Sequence, residues 1–238
     1  MKRTIYFTIA LFLFAPVLSS PALTGEVIDG IVATVNRQPV FQSDWEEAIA
    51  FEALMQQKSV AQMAKADRLK ALQRLIDRQL LEAQMGNETF LQPSDDDLDK
   101  DIAKLRAQLP KGTDDQSWQK FLAGYGLTQE TLKARLRAEV RVMNFVEVRL
   151  RPNVHVQPEE VESYYRNQLL PDLQTTGGTA VTLNEVEPRI HELLVQRRMD
   201  ELLDQWLHNL RQQADIKSTV PIPAGNAAVD DSEVSGSN

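Results

Sequence analysis

The sequence predicts a mainly α-helical, multi-helix domain carrying one small N-terminal strand or hairpin that pairs with a C-terminal strand. Three observations point there. Leu, Ala, Gln, Glu and Arg dominate while aromatic residues make up only 6% of the chain, a composition that favours helix over sheet. Apolar residues recur at intervals of three and four along several segments, the spacing of one buried helical face. Ser, Thr, Asp or Pro stands ahead of most of those segments, where helices begin. With 238 residues, 42% of them hydrophobic, the chain can build one sizeable core and not several independent ones.

The elements follow in order. The stretch 27–35 is rich in β-branched residues, and Asn36-Arg37-Gln38-Pro39 is a turn signal leading into the extended Val40-Phe41. Ser43 followed by Glu46 reads as a capping box, which opens a first helix over 44–57. Leu69, Leu72, Ile76, Leu80 and Ala83 define a second helix over 67–85, ended by Gly86 and Asn87. Pro93-Ser94 and the acids Asp95, Asp96 and Asp97 start a third helix, since carboxylates suit the positive end of the helix dipole, and Pro110 closes it.

Thr113 with Gln116 reads as a further capping box, for a short helix through Trp118, Phe121 and Leu122 that stops at Gly124-Tyr125-Gly126. Thr128 then caps a long helix to about residue 150, with Leu132, Leu136, Val140, Met143, Val146 and Leu150 on one face and Val142, Phe145 and Val148 on another. Such a helix is expected to be buried on more than one side. Pro158 with Glu159 and Glu160 starts a short helix through Val161, Tyr164 and Tyr165. The Gly- and Thr-rich stretch 171–182 reads as an internal linker. The last helix is expected over 184–214, with Pro188 either kinking it or marking its first turn, and 216–220 is β-like and placed to pair with the N-terminal strand.

The N-terminus speaks for export. Lys2 and Arg3 precede an apolar run from Ile5 to Leu18, and Ser20-Pro21-Ala22 supplies the small residues a signal peptidase reads, so cleavage is expected after Ala22. That run is 14 residues long, short of the ~20 a membrane-spanning helix needs, and no stable membrane insertion is expected. A net charge of −8 repels a phosphate backbone, which argues against nucleic acid as a partner. The chain has no cysteine and therefore no disulfide, thiol nucleophile or lipidation site of that kind.

Catalytic patterns are missing. No nucleophile elbow, phosphate-binding glycine loop or zinc-hydrolase motif occurs, and His155, His191 and His208 lack partners at metal-ligand spacing. Asp95, Asp96, Asp97, Asp99 and Asp101 lack the glycine turn and distal Glu of a calcium loop, so helix-terminal charge complementation accounts for them. No enzyme activity, cofactor or metal is expected. The candidate binding residues are apolar: the aromatic cluster Trp118, Phe121 and Tyr125, the flexible thioethers of Met55, Met63 and Met143, and Phe145. Each fits an ordinary core as well as a promiscuous apolar groove.

Three segments carry a family resemblance. Ile31-Val32-Ala33-Thr34-Val35-Asn36 with Pro39-Val40 and Ser43-Asp44, then Leu75-Ile76-Asp77-Arg78-Gln79-Leu80-Leu81, then Val156-Gln157-Pro158-Glu159-Glu160-Val161 with Tyr164-Tyr165, resemble in order and spacing the SurA-type periplasmic chaperones. The resemblance covers about 26–220. Between the signal peptide over 1–22 and a small, polar, acidic tail over 221–238 that is expected to be disordered, it implies a SurA N-terminal-like helical domain over 23–168, a linker over 169–183, and a C-terminal helix and strand over 184–220 packing back on the same domain.

A parvulin prolyl isomerase domain, about a hundred residues, normally follows the third segment, and here the short linker stands in its place. The resemblance further implies an ATP-independent periplasmic holdase that binds unfolded exported polypeptides, outer-membrane β-barrel precursors among them, through an apolar groove. Residual prolyl isomerase activity and a helical adaptor for one specific envelope partner are the alternatives. A homodimer formed by exchange of terminal elements is compatible with either.

Overall fold

The computed structural model describes residues 29–86, 91–108, 114–177 and 181–221. Strand β1 (Ile31–Val35) turns through Asn36 and Arg37, both at positive φ (50° and 70°), into β2 (Gln38–Phe41). Two consecutive left-handed residues make the two-residue hairpin turn whose twist matches that of the flanking strands. A bulge between Ile31 and Ala33 bends β1. Strand β3 (Ile216–Ser218) adds antiparallel to the other edge of β1, giving the order β2-β1-β3. The expected pairing of the two ends of the chain is therefore present, secured by Asn36 N–H to the Asp215 carbonyl at 2.9 Å and Asp215 N–H to the Asn36 side chain at 3.0 Å.

Helix α1 (Gln42–Met55) starts two residues earlier than the spacing predicts, because Ser43 is not its cap. The Phe41 N–H donates to the Asp44 carboxylate at 3.0 Å, and the Ser43 N–H and hydroxyl both donate to Asp29. A carboxylate from 14 residues upstream thus caps this helix, a relationship no local motif encodes. A 3₁₀ turn (Val60–Gln62) leads to α2 (Lys65–Met85), which buries Leu72, Leu75, Ile76 and Leu80 while Ala83 faces solvent. Gly86, at φ 60°, ends α2 in a conformation that suits glycine.

In α3 (Asp95–Gln108) the expected cap holds: the Ser94 hydroxyl accepts the Asp97 N–H at 3.2 Å. In α4 (Asp115–Ala123) Asp114 takes the role expected of Thr113, accepting the Ser117 N–H at 2.9 Å. Thr128 caps α5 (Gln129–Leu150) as expected, accepting the Thr131 N–H at 3.1 Å. Along α5, Leu132, Phe145 and Leu150 are buried, but Met143 of the first face and Val148 of the second point outward, so each apolar face is only partly covered.

The segment expected to become a linker is helical through Thr176. Helix α6 (Pro158–Tyr164) passes through a π turn (Tyr165–Leu169) into α7 (Leu170–Thr176). The physical reason is Pro171: lacking an N–H and crowding the preceding turn, it disturbs a regular helix, and the wider π turn just before it absorbs the mismatch. The Tyr165 hydroxyl donates to the Val181 carbonyl at 2.7 Å across the return. Helix α8 (Leu183–Gln213) begins at a Thr182–Glu185 capping box and continues past Pro188, so Pro188 lies inside the helix and not at its first position.

Two adjoining cores result. One joins the sheet residues Val32, Val35 and Val40 to Ile49, Leu72 and Ile76, and the other gathers Leu54, Ile102, Trp118, Leu122 and Leu132 from α1, α3, α4 and α5. Helix α8 closes the fold: Trp206 packs on Phe145 with ring centroids 5.7 Å apart, and Val195 and Met199 cover Leu150. Residues 1–22, most of the tail over 221–238, and Asn87, Pro110 and Thr113 lie outside the described residues.

Candidate functional site

A cleft of about 500 Å³ opens between α1, the 3₁₀ turn and the α4–α5 connection. Ser43, Glu46, Glu47 and Ala50 line it from one stripe of α1, three and four residues apart as helical geometry requires. Arg68, Tyr125, Gly126 and Thr131 form the facing wall, with Ile49 and Val60 at the base. The floor lies at the junction of the two cores, since Val60 and Tyr125 pack against both.

The walls are held from behind. The Arg68 guanidinium donates to the carbonyls of Val60 (2.7 Å) and Met63 (3.2 Å), fastening the 3₁₀ turn to α2, and the Trp45 indole N–H donates to the Arg68 carbonyl at 2.7 Å. Tyr125 is set by the turn around it. Gly126 takes φ 75°, a conformation that suits glycine, and so turns the chain directly after the ring.

Of the residues singled out by sequence, the aromatic three form one ladder with a graded exposure. Trp118 is buried and stacks on Phe121 (5.9 Å), and half-buried Phe121 meets Tyr125 edge to face (5.3 Å). Only Tyr125 reaches the cleft. Met63 is buried under the 3₁₀ turn and Phe145 against Trp206, where both pack the interior. Met55 and Met143 are exposed, 49% and 67%, at places apart from the cleft lining. The structure therefore does not gather the seven candidates into one groove.

Sequence reasoning missed Glu46, Glu47, Val60 and Arg68. The stripe of α1 was available as a signal, because Ser43, Glu46 and Glu47 break the apolar face just where Ile49, Ala50 and Ala53 begin it. Val60 and Arg68 carry no such mark: the 3₁₀ turn and the first turn of α2 bring them to the cleft.

Charge elsewhere is spent on packing. Arg135, 7% exposed, lies over the Phe51 ring (5.6 Å) and pairs with Glu139 (2.8 Å), and burial pushes its guanidinium below the usual arginine range. The acidic start of α3 is bound to α5 through Lys133–Asp99 (2.6 Å) and Arg137–Asp95 (2.5 Å), with Arg137 the main cause of a lowered Asp95 pKa. His155, His191 and His208 are all exposed, and among the described residues no three metal-ligating side chains converge. No described helix is long and apolar enough to cross a membrane.

Sequence comparison with known proteins points to one family. The sequence profile of the SurA-like N-terminal domain matches residues 1–146. The Chaperone SurA of Chromobacterium violaceum is 24% identical over 97% of this chain and 52% of its own length. The Chaperone SurA of Yersinia pestis is 27% identical over 74% of this chain and 40% of its own length. This chain thus spans about half the length of the relatives it matches, or less. A solved chain from work on PEB4 and Cj1289, described as two structurally related SurA-like chaperones of Campylobacter jejuni, covers 81% of this chain at 13% identity with a TM-score of 0.46.

Proposed function

The chain belongs to the SurA-like N-terminal domain family, and from that premise we propose that it is a periplasmic, ATP-independent holdase for unfolded exported polypeptides, outer-membrane β-barrel precursors among them. The observation that carries this reading is the cleft beside α1. Its floor of Ile49, Ala50 and Val60 and its Tyr125 wall offer an apolar surface beside polar side chains. Such a surface binds many sequences weakly, since apolar contact is not directional and one short site buries little area. Weak binding is what a holdase needs, because a client must leave in order to fold.

Export through a signal peptide over 1–22, cut near Ala22, places the mature chain where such clients pass. The domain division follows the resemblance, with 23–168 and 184–220 as one body and a connection over 169–183 where the parvulin domain sits in the family. We take the protein to act by binding alone, with no catalysis. Should two chains exchange their α8–β3 elements, the same β1–β3 pairing would form between them.

The test is suppression of aggregation. Urea-unfolded β-barrel protein diluted into buffer scatters light as it aggregates, and a few-fold molar excess of the purified mature chain is expected to lower the scattering without ATP. Scattering identical to that of the client alone would overturn the proposal.

A further inference from the structure

The cleft is not uniformly apolar, and its charged lining leans acidic, with Glu46 and Glu47 against Arg68. Glu46 is exposed and accepts the Gln42 side-chain amide at 2.8 Å, while half-buried Glu47 accepts no hydrogen bond from any described residue. Across from them, Arg68 directs its Nη2 and Nε into the wall, onto the Val60 and Met63 carbonyls. Arg135, one helical turn beyond Thr131, pairs with Glu139 and lies over the Phe51 ring, and Glu47 attracts it at longer range without a hydrogen bond. The cleft therefore presents two carboxylates with unused acceptor capacity against one guanidinium that is fixed in the wall by its Nε and Nη2.

Tyr125 adds to the same preference. The face of an aromatic ring attracts cations, as carboxylates do, and the apolar floor accepts an uncharged neighbour. In an extended strand, side chains two residues apart lie on one face about 6.6 Å from each other. A volume of about 500 Å³ is that of a small-ligand site, enough for two such side chains and not for a long segment.

We infer that the cleft selects short extended segments in which an Arg or Lys stands two residues from an apolar or aromatic side chain, and discriminates against the same segments carrying acids. This rests on the holdase reading and specifies which segments it holds. The cation lies between Glu46, Glu47 and the Tyr125 ring, and the apolar side chain lies on Ile49, Ala50 and Val60.

The experiment uses the mature chain and three fluorescein-labelled nonapeptides, identical except that the residues two before and two after a central Phe are both Arg, both Gln or both Glu. By fluorescence anisotropy the Arg peptide is expected to bind about tenfold more tightly than the Gln peptide, and the Glu peptide more weakly than either. Raising the salt to 1 M, where the screening length falls to about 3 Å, is expected to shrink these ratios. In the double variant Glu46→Gln with Glu47→Gln the ratio of Arg to Glu peptide affinity is expected to fall toward one. The remote pair Glu159→Gln with Glu201→Gln, equal in charge change, is expected to keep the ratio. Equal binding of the three peptides, or selection that survives in the cleft variant, would overturn the inference. Equal binding combined with aggregation suppression leaves the holdase reading standing and removes only the charge selection, whereas no binding and no suppression removes both.

Discussion

Asp77 on α2 and Arg211 on α8, 134 residues apart, face each other through two parallel hydrogen bonds of 2.7 and 2.6 Å. The pair locks the returning C-terminal helix against the second helix of the chain. Burial pushes the Asp77 carboxyl above its ordinary range, with nearby Asp204 adding to the effect, while Arg211 pulls it back. The arginine is thus the group that offsets the burial of that carboxylate.

Replacing Arg211 by Met strands that carboxylate. The destabilisation is expected to be about 2 kcal/mol, below the ~3–5 kcal/mol of a fully buried broken pair because both side chains retain some solvent contact. Its pH dependence has a definite sign. An acid whose folded-state pKa is raised holds its proton more tightly when folded, so its contribution favours folding at low pH and is lost as pH rises from the unfolded value through the folded one. In Arg211→Met the folded value rises further, so the loss seen at pH 7 is expected to shrink toward pH 4. Urea unfolding at both pH values checks this, and an equal loss at both would contradict it.

The hairpin turn offers a stabilising change. Arg37 sits at φ 70°, where a side chain costs about 1–2 kcal/mol and glycine costs little. Glycine also loses more entropy on folding, by roughly 0.5–1 kcal/mol. The net expectation for Arg37→Gly is a gain of about 0.5 kcal/mol, seen as a rise of roughly 1–2 °C in the unfolding midpoint by circular dichroism.

What was legible in the sequence was local. Ser94 and Thr128 announce their helices because a cap is an interaction between residues three apart. The edges that were misread depend on distant partners. Asp29 caps α1 from across the hairpin, and the π turn before Pro171 extends a helix that the Gly/Thr composition beyond it disguised. The same division runs through the site. Tyr125 was visible between two glycines, and the α1 stripe was visible in principle, but a cleft between α1, a loop and the α4–α5 turn is a tertiary object. Trp118 and Phe145 read as binding residues for the same reason that they pack well: a large apolar side chain looks alike in a groove and in a core.

The aromatic ladder should separate those two roles. Trp118 is 1% exposed, so Trp118→Ala is expected to cost about 3–5 kcal/mol through the cavity it leaves. Tyr125→Leu keeps apolar contact with both cores and is expected to cost under about 1.5 kcal/mol while removing the ring from the cleft. The check is to measure thermal unfolding and peptide anisotropy on both variants under conditions where each remains folded. Trp118→Ala is expected to lose stability with little change in affinity, and Tyr125→Leu the reverse.

Arg151 bridges Glu147 on its own side to Glu192 on α8, the latter at 2.8 Å, tying the end of α5 to the returning helix. Hydrogen bonding from Arg151, helped by Gln196, holds the Glu192 carboxyl down at about 2. For an acid with a depressed folded-state pKa the stabilising contribution is present above the unfolded value of 4.5 and disappears as pH falls through about 2. The tie between α5 and α8 is therefore expected to stay charged on both sides through the pH range in which most carboxylates protonate. Carbon-detected NMR titration of the Glu192 side chain reads this directly. In Arg151→Gln the Glu192 midpoint is expected to move back up toward 4.5, and an unmoved midpoint would show that the pair does not hold the carboxylate in solution.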